Sequence, residues 1–369
     1  MKIGILTQPL CNNYGGTLQN YVLQTVLKRM GHGVTTLNYP VEVCSYDSQM
    51  RYMLSCCRRI LRKLSGDPSI VYISLKEESR KAVELAHLEK AFMDKHMHIV
   101  PIKSPITFDA VKDMQFDAFV VGSDQVWRPR YADKNLGNMF LDFTKGMNVK
   151  RVAYATSLGT DVWEYTPEQT KNCAELVKQF DAISVREASG VKLCKENLGV
   201  EPKHMLDPTL LLTKEDYLSV CSGNEHPKGG YIAVYTLDYT KQKMAFLNAV
   251  NKELNTPLHL IGRFTKAGFP SIESWLEGIA NAKYVITDSF HGTVFSTIFE
   301  RQFVTLGNAA RGNSRFDSFF TTLGLSADRQ CSDVASVIKM LQQPIDYTKI
   351  NAIKAEKQKE AIEFLKSSL

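Results

Sequence analysis

The sequence predicts an α/β protein made of two Rossmann-like domains whose mostly parallel sheets face a central cleft. Short apolar segments alternate with helical segments in two series, the first starting at residue 2 and the second at Tyr231. A glycine-rich polar run, 222–230, separates the two series. The 369 residues are also more than one ordinary hydrophobic core accommodates. These observations predict an N-terminal domain over 1–222, a C-terminal domain over 223–345, and a final helix, 346–369, that packs back on the first domain.

The first series opens with a strand, a polar loop and a helix. Residues 2–7 form an apolar run, and a helical pattern from about 17 to 30 ends at Gly31, which suits a left-handed helix end. Ligands of doubly wound sheets bind beyond the carboxyl ends of the strands. This places Asn12, Asn13 and Tyr14, in the intervening loop, at a candidate site. The loop lacks the G-x-G-x-x-G pattern of dinucleotide-binding proteins.

Two later strands of this domain are also followed by residues whose side chains suit catalysis or ligand binding. The buried run Asp117 to Val121 leads to Asp124, Gln125 and Trp127, and the run ending at Val185 leads to Arg186. An aspartate in this position suits a general base, and the forked guanidinium of arginine suits a carboxylate or phosphate. The alternatives are a turn or capping role for Asp124, and an ion pair of Arg186 with Glu187 or another acid.

A strand followed directly by a helix start marks the second domain. The β-branched run 284–287 precedes a polar break and a mostly apolar helical segment, for which Asp288 or Ser289 can serve as N-cap. The backbone N–H groups of such a helix start, at Ser289, Gly292 and Thr293, can bind an anion. His291 adds a titratable group there, and Gly292 can let a ligand approach the backbone. The alternative is a buried turn whose histidine only packs.

A second basic element follows the next strand of this domain. Arg311 and Arg315 are four residues apart in a polar loop or helix start, and together they can hold a doubly charged anion. The alternative is a solvated basic loop.

Residues 50–64 form a basic amphipathic helix in this interpretation. An apolar face that includes Met53, Ile60 and Leu64 accompanies five positive charges and no acidic residue. Two interpretations stay open: contact with an anionic membrane surface or lipid-linked substrate, and a peripheral helix with a solvated basic face.

Composition limits the classes of function. The net charge of +6 favours anionic small molecules or surfaces, but the positive charge is too small and dispersed for a nucleic-acid protein. The eight cysteines form no C-x-x-C pair, so neither a zinc site nor a disulfide framework is expected, and no metal is predicted. Because the sequence has no long apolar run and no signal-peptide pattern at Met1, we expect a cytoplasmic protein. Peripheral contact with the inner face of the membrane is an additional interpretation.

Several segments, in this order and spacing, give the chain a resemblance to a known family. They are Asn12-Asn13-Tyr14-Gly15 with Leu18-Gln19, Val121 to Trp127, Ser184-Val185-Arg186-Glu187, Leu206-Asp207-Pro208, Thr287 to Thr293, and Arg311 to Phe316. Over about residues 1–325 the chain resembles the polysaccharide pyruvyl transferases. The resemblance implies a GT-B-like fold, phosphoenolpyruvate as donor substrate without a cofactor, and a pair of sugar hydroxyls as acceptor, on a glycan or a lipid-linked glycan precursor.

The resemblance and the residue chemistry together suggest roles for the candidate residues. We expect His291 to give a proton or hold phosphate, and Asp124 to act as base. The expected donor-binding residues are Arg186, Ser289, Gly292, Thr293, Arg311 and Arg315. The expected acceptor-binding residues are Asn12, Asn13, Tyr14, Gln125 and Trp127. A GT-B glycosyltransferase that uses a nucleotide-sugar, and a non-catalytic glycan-binding protein, are the rival interpretations.

Overall fold

The protein was analysed as a computed structural model. It describes residues 1–10, 13–39, 57, 60, 61, 64, 88–221, 223, 226–237, 239–262, 270–307 and 314–369, without the side chain of Asp133. The predicted helix 50–64, apart from four isolated residues, and the predicted site residues Asn12 and Arg311 lie outside these ranges.

Two parallel sheets organise the described residues, as the sequence predicts. The first has seven strands in the order β3-β2-β1-β4-β5-β6-β7, and the second has five in the order β12-β11-β10-β8-β9. The strands of the first sheet are β1 Lys2–Leu6, β2 Gly33–Asn38, β3 Ile99–Pro101, β4 Ala118–Val121, β5 Lys150–Thr156, β6 Ala182–Val185 and β7 Lys203–His204. Those of the second are β8 Ile232–Tyr235, β9 Leu258–Leu260, β10 Tyr284–Thr287, β11 Gln302–Leu306 and β12 Gln330–Cys331.

Helices connect the strands, as parallel pairing requires. In the first domain they are α1 Tyr14–Arg29, α2 88–96, α3 Phe108–Val111, α4 Pro129–Ala132, α5 Leu136–Met139, α6 Pro167–Val177, α7 Ala188–Leu198 and α8 Lys214–Leu218. After the linker come α9 Lys241–Leu254, α10 Ile272–Ala280, α11 Phe290–Ile298, α12 Ser314–Leu323, α13 Val334–Gln342 and α14 Tyr347–Ser368.

Helix α1 begins earlier than the sequence predicts. Asn13 caps it by accepting a hydrogen bond from the N–H of Gly16, so Tyr14, Gly15 and Gly16 form its first turn instead of a loop. At the other end Gly31 has φ of +88°, which confirms the predicted left-handed helix end. The revised start matters because it points the first turn of α1 toward the second domain.

Apolar packing joins the two domains. One buried cluster includes Leu18 of α1, Tyr217 of α8 and Phe295 of α11, and the rings of Tyr217 and Phe295 lie 4.9 Å apart. The final helix α14 contacts the first domain: the Phe364 ring lies 6.2 Å from that of Tyr154, and Gln358 donates to the carbonyl of Leu210 at 2.5 Å. This packing brings the carboxyl ends of the two sheets together at the site.

Candidate active site

The hydroxyl groups of Ser289 and Thr293 make hydrogen bonds at the start of α11. Ser289 is the N-cap, one of the two predicted caps, and its Oγ accepts from the N–H of Gly292 at 3.4 Å. The hydroxyl of Thr293 lies 2.8 Å from that of Thr305. A Cβ on Gly292 would lie 2.2 Å from Oγ1 of Thr287, so protein atoms fill the space beside this glycine. Gly292 therefore has a packing role on this side, and its predicted contact with a ligand through the backbone stays a prediction.

His291, in the first turn of α11, faces the first domain. A Cβ on Gly15 would lie 1.9 Å from its Nδ1, so the ring packs directly on the first turn of α1. Its Nε2 lies 3.6 Å from Oδ2 of Asp207, within ion-pair range but longer than a hydrogen bond. The side chain of His291 is 10% exposed. The imidazole thus lies in the contact between the domains, between a helix start and a carboxylate.

Asp207 is a central residue of the site that the sequence interpretation did not assign. Its Oδ2 accepts from Arg186 Nη1 at 2.8 Å and also from Gln19 of α1. Its Oδ1 accepts from the backbone N–H and the hydroxyl of Thr209. Burial alone would raise the pKa of Asp207, but the partners His291, Arg186 and Thr209 hold this pKa well below its ordinary value. The side chain therefore stays ionised. Its position three residues after the end of the seventh strand is the signal that could have identified it.

Arg186 connects three carboxylates. Besides Asp207, its Nε lies 3.3 Å from Glu187 and its Nη2 lies 3.8 Å from Asp124. The group is buried; burial acts to lower the pKa of Arg186, but the three negative charges raise this pKa above its ordinary value. The ion pair with Glu187, our alternative for Arg186, is thus present within a larger network. Arg186 is a permanently charged group at the centre of the site.

Phe290 places two guanidinium groups together. The Cζ of Arg186 lies 4.7 Å and that of Arg315 lies 5.7 Å from its ring centroid. Burial and the charge of Arg186 lower the pKa of Arg315. Arg315 therefore belongs to the buried site rather than to a solvated loop.

Asp124 completes the network from the fourth strand. It has φ of +66°, a left-handed conformation that few residues other than glycine adopt, and its Oδ2 accepts from the side-chain amide of Asn13 at 3.3 Å. The network thus runs from Asn13 through Asp124, Arg186 and Asp207 to His291. The structure brings together residues that are far apart in sequence, from both domains.

Two predicted acceptor-binding residues have structural roles. The hydroxyl of Tyr14 donates a short hydrogen bond to the carbonyl of Pro270, and its ring lies 5.8 Å from that of Trp275, so this side chain joins the domains. Trp127 is fully buried, stacks on Phe140 at 4.7 Å and donates from its indole N–H to the carbonyl of Met139. The prediction that Trp127 contacts an acceptor is therefore wrong, because this side chain belongs to the core.

Gln125 lies near the site, and part of the residue is exposed to solvent. Its Oε1 accepts from Nη1 of Arg128 at 3.1 Å, and a Cβ on Gly159 would lie 2.0 Å from the same atom. The residue links the segments that follow the fourth and fifth strands.

A small cavity of about 20 Å³ adjoins the network. Its lining includes Arg186, His204, Asp207, Phe290 and Arg315. This space suits a water molecule rather than a metabolite. Four buried atoms of the network have no hydrogen-bond partner within the described part of the chain: Gln19 Oε1, Arg186 Nη2, Glu187 Oε2 and His291 Nε2.

Comparison with known proteins gives the family. The family model for polysaccharide pyruvyl transferases matches residues 13–309, which include Asn13, Asp124, Arg186, Asp207 and His291. The chain belongs to the polysaccharide pyruvyl transferase family. Membership makes it a transferase of polysaccharide pyruvylation with a glycan acceptor. No curated protein sequence matches the chain.

Solved structures give the fold. The chain is similar to the glycosyltransferase of kitacinnamycin, at 12% identity and a TM-score of 0.50, over 100% of this chain and 99% of that one. It also matches UDP-GlcNAc 2-epimerase from Neisseria meningitidis bound to UDP-GlcNAc, at 10% identity and a TM-score of 0.49, over all of both chains. The fold is GT-B-like, as the sequence predicts.

The described residues lack two kinds of feature. Within them, no helix has the length and apolar character needed to cross a membrane. The same residues contain no group of three or more His, Cys, Asp or Glu side chains arranged to hold a metal ion.

Proposed function

We propose that the protein transfers the enolpyruvyl group of phosphoenolpyruvate to two hydroxyls of one sugar, which forms a pyruvate ketal and releases phosphate. The proposal uses no cofactor. Its main support is the meeting of His291, from the second domain, with Asp207 and Arg186, from the first. This network combines an imidazole, a fixed positive charge and a fixed negative charge, and that combination supports the proposal.

The donor carries a phosphate and a carboxylate, so its site needs several cations. Arg186 and Arg315 both lie against the Phe290 ring, and burial together with the charge of Arg186 lowers the pKa of Arg315. A bound dianion would offset the repulsion between these two positive charges. We propose that these two residues hold the donor with the start of α11 at Ser289 and Thr293, and that Arg311, outside the described residues, adds a third cation.

The chemistry requires one proton donor and one base. The vinyl carbon of the donor takes a proton and becomes a methyl group, while the first sugar hydroxyl attacks C2 and loses its proton. The second hydroxyl then attacks the same carbon, the C–O bond to phosphate breaks, and the proton of this hydroxyl leaves with the phosphate as the ketal closes. We propose His291 as proton donor or phosphate ligand and Asp124 as base. Asp207, beside His291 Nε2, acts as a positioning residue.

Substrate entry requires the contact between the domains to open. Nδ1 of His291 faces Gly15, Nε2 faces Asp207, and the adjoining cavity is water-sized. We therefore propose that the two domains separate to admit the donor and close over it. Closure would exclude water from the reaction.

The proposed acceptor is a lipid-linked glycan precursor, approached from the first domain. Asn13 contacts Asp124, which places one predicted acceptor-binding residue beside the proposed base.

Neutralising Arg58, Arg59 and Arg62 tests the membrane interpretation of the 50–64 segment. Lower partition onto anionic vesicles with slower turnover of a lipid-linked acceptor supports it, and unchanged values favour a solvated basic face.

The rival function is sugar transfer from a nucleotide-sugar, which the likeness to a glycosyltransferase fold favours. The deciding assay offers phosphoenolpyruvate and nucleotide-sugars separately with lipid-linked galactosyl, mannosyl and glucosyl acceptors. Phosphate release from phosphoenolpyruvate supports the proposal, and nucleotide release supports the rival. Acceptor binding without release from any donor indicates a glycan-binding protein.

A further inference from the structure

Tyr131 is an exposed aromatic side chain on the loop side of the first sheet. It lies in α4, shortly after Asp124, and half of it is accessible to solvent. Single exposed apolar residues are common on proteins. Tyr131 differs from such residues because its ring packs on Arg128 and because it lies close in sequence to Asp124.

A partly exposed ion pair, whose arginine is buried, packs against the Tyr131 ring. The Cζ of Arg128 lies 5.2 Å from the ring centroid. Arg128 makes two 2.8 Å hydrogen bonds to the two carboxylate oxygens of Glu164, and its side chain is only 8% exposed. A third bond, to Gln125, fixes the guanidinium further. Because Arg128 is held in place beneath the ring, little side-chain entropy is lost when a ligand binds the solvent-exposed face of Tyr131.

The same segment adjoins the catalytic network. The backbone N–H of Ser157 donates to the carbonyl of Asp124 at 2.9 Å, and that of Trp127 donates to the carbonyl of Ser157 at 3.3 Å. These bonds join the segments that carry Arg128 and Glu164. Tyr131 therefore lies at the rim of the site rather than on a remote surface.

We propose that Tyr131 and Glu164 form a subsite for a pyranose ring of the acceptor. A pyranose has an apolar C–H face, which suits stacking on an aromatic ring, and a hydroxyl rim, which suits a carboxylate acceptor. Glu164 is partly exposed, and its hydrogen bond from Arg128 keeps it ionised by lowering its pKa. This inference rests on the proposed function, because it assigns the acceptor side of the same site.

The test compares Tyr131→Ala with Tyr131→Phe and with Phe108→Ala, a control in which another exposed aromatic side chain is removed. With an acceptor that supports phosphate release, Tyr131→Ala raises the acceptor KM about tenfold and leaves the donor KM and kcat near wild type. Tyr131→Phe and Phe108→Ala retain the wild-type acceptor KM. An unchanged acceptor KM in Tyr131→Ala, or an equal rise in the donor KM, overturns the inference.

A binding measurement separates this inference from the reaction. Saturation-transfer NMR with methyl β-D-galactopyranoside, methyl α-D-mannopyranoside and methyl β-D-glucopyranoside compares wild type with Tyr131→Ala. Binding that Tyr131→Ala loses supports the subsite even if no donor is consumed, in which case only the proposed function fails. Equal binding by both proteins, or binding of none of the three glycosides to wild type, overturns the subsite while leaving the reaction to the phosphate assay.

Discussion

Gly15 and His291 are in direct contact across the two domains. A single added carbon at Gly15 would lie 1.9 Å from Nδ1 of the imidazole, closer than any non-bonded contact permits. The first turn of α1 therefore has glycine because His291 occupies the space of a side chain. This contact gives a function to the Tyr14-Gly15-Gly16 segment that its sequence alone does not reveal.

Gly15→Ala should lower activity about 100-fold, because a displacement of His291 by about 1 Å is enough for such a loss. Overpacking should also lower the thermal midpoint. Alanine is the better helix former by about 1 kcal/mol, so without this contact the variant would be slightly more stable than wild type. Gly33→Ala is the control, because the nearest atom to its Cβ would be 3.9 Å away. A stabilised, fully active Gly15→Ala protein would contradict the contact.

His291→Ala should reduce kcat by about 100-fold or more while the protein remains folded, as expected for loss of a general acid. A fall in kcat with a constant KM for phosphoenolpyruvate identifies a proton donor, and a dominant rise in KM identifies a phosphate ligand. His226→Ala controls for loss of a second-domain histidine, since His226 bonds Ser274 on another helix. Full activity of His291→Ala would remove this residue from the mechanism.

Asp207→Asn should destabilise the protein by about 3 kcal/mol, because the buried charge of Arg186 loses its closest partner. The folded-state pKa of Asp207 is lowered, so its stabilising effect is present above the unfolded-state pKa and disappears as pH falls through the folded-state value. The stability difference from wild type should hold from neutral pH to about pH 5 and shrink only below about pH 4.

Thermal unfolding of both proteins across this pH range is the measurement for Asp207. Asp94→Asn is the control, since Asp94 pairs with Lys90 on the surface and should contribute under about 1 kcal/mol. A positioning role for Asp207 also requires kcat to fall more than donor affinity. A stability difference that vanishes already at pH 6 would contradict the lowered pKa.

Trp127→Phe should lower the thermal midpoint and leave the acceptor KM unchanged, because the indole N–H bonds Met139 within the core. Steady-state kinetics with a fixed donor concentration gives the acceptor KM. A rise in this KM without a loss of stability would restore Trp127 to the acceptor site.

The strand–helix order and several site residues could be predicted from sequence because they depend on local pattern. Asp124, Arg186 and His291 each follow a buried strand, and Ser289 has the residue type of an N-cap. The structure brings Asp124, Arg186 and His291 into one network, and Ser289 caps the helix that carries His291. Their positions after strand ends predict that they lie at the same edge of the sheets, and their roles stay predictions.

Residues whose roles depend on contacts between distant segments could not be predicted in this way. Asp207 looks like a turn residue before a proline, and only the fold brings it to His291. Trp127 follows a strand end as Asp124 does, but the direction of its side chain depends on Phe140 and Met139. Gly15 lies in the predicted loop before the first helix, whereas the structure shows that its small size serves a contact with the other domain.

The central claim is the formation of a pyruvate ketal from phosphoenolpyruvate. Proton NMR of wild-type protein with phosphoenolpyruvate and the lipid-linked acceptor panel tests it most directly, with phosphate measured in the same sample. The account predicts phosphate release in equal amount with a new methyl singlet of the ketal, and neither signal from His291→Ala. Release of nucleotide from a nucleotide-sugar, with no methyl signal and no phosphate from phosphoenolpyruvate, would contradict the account.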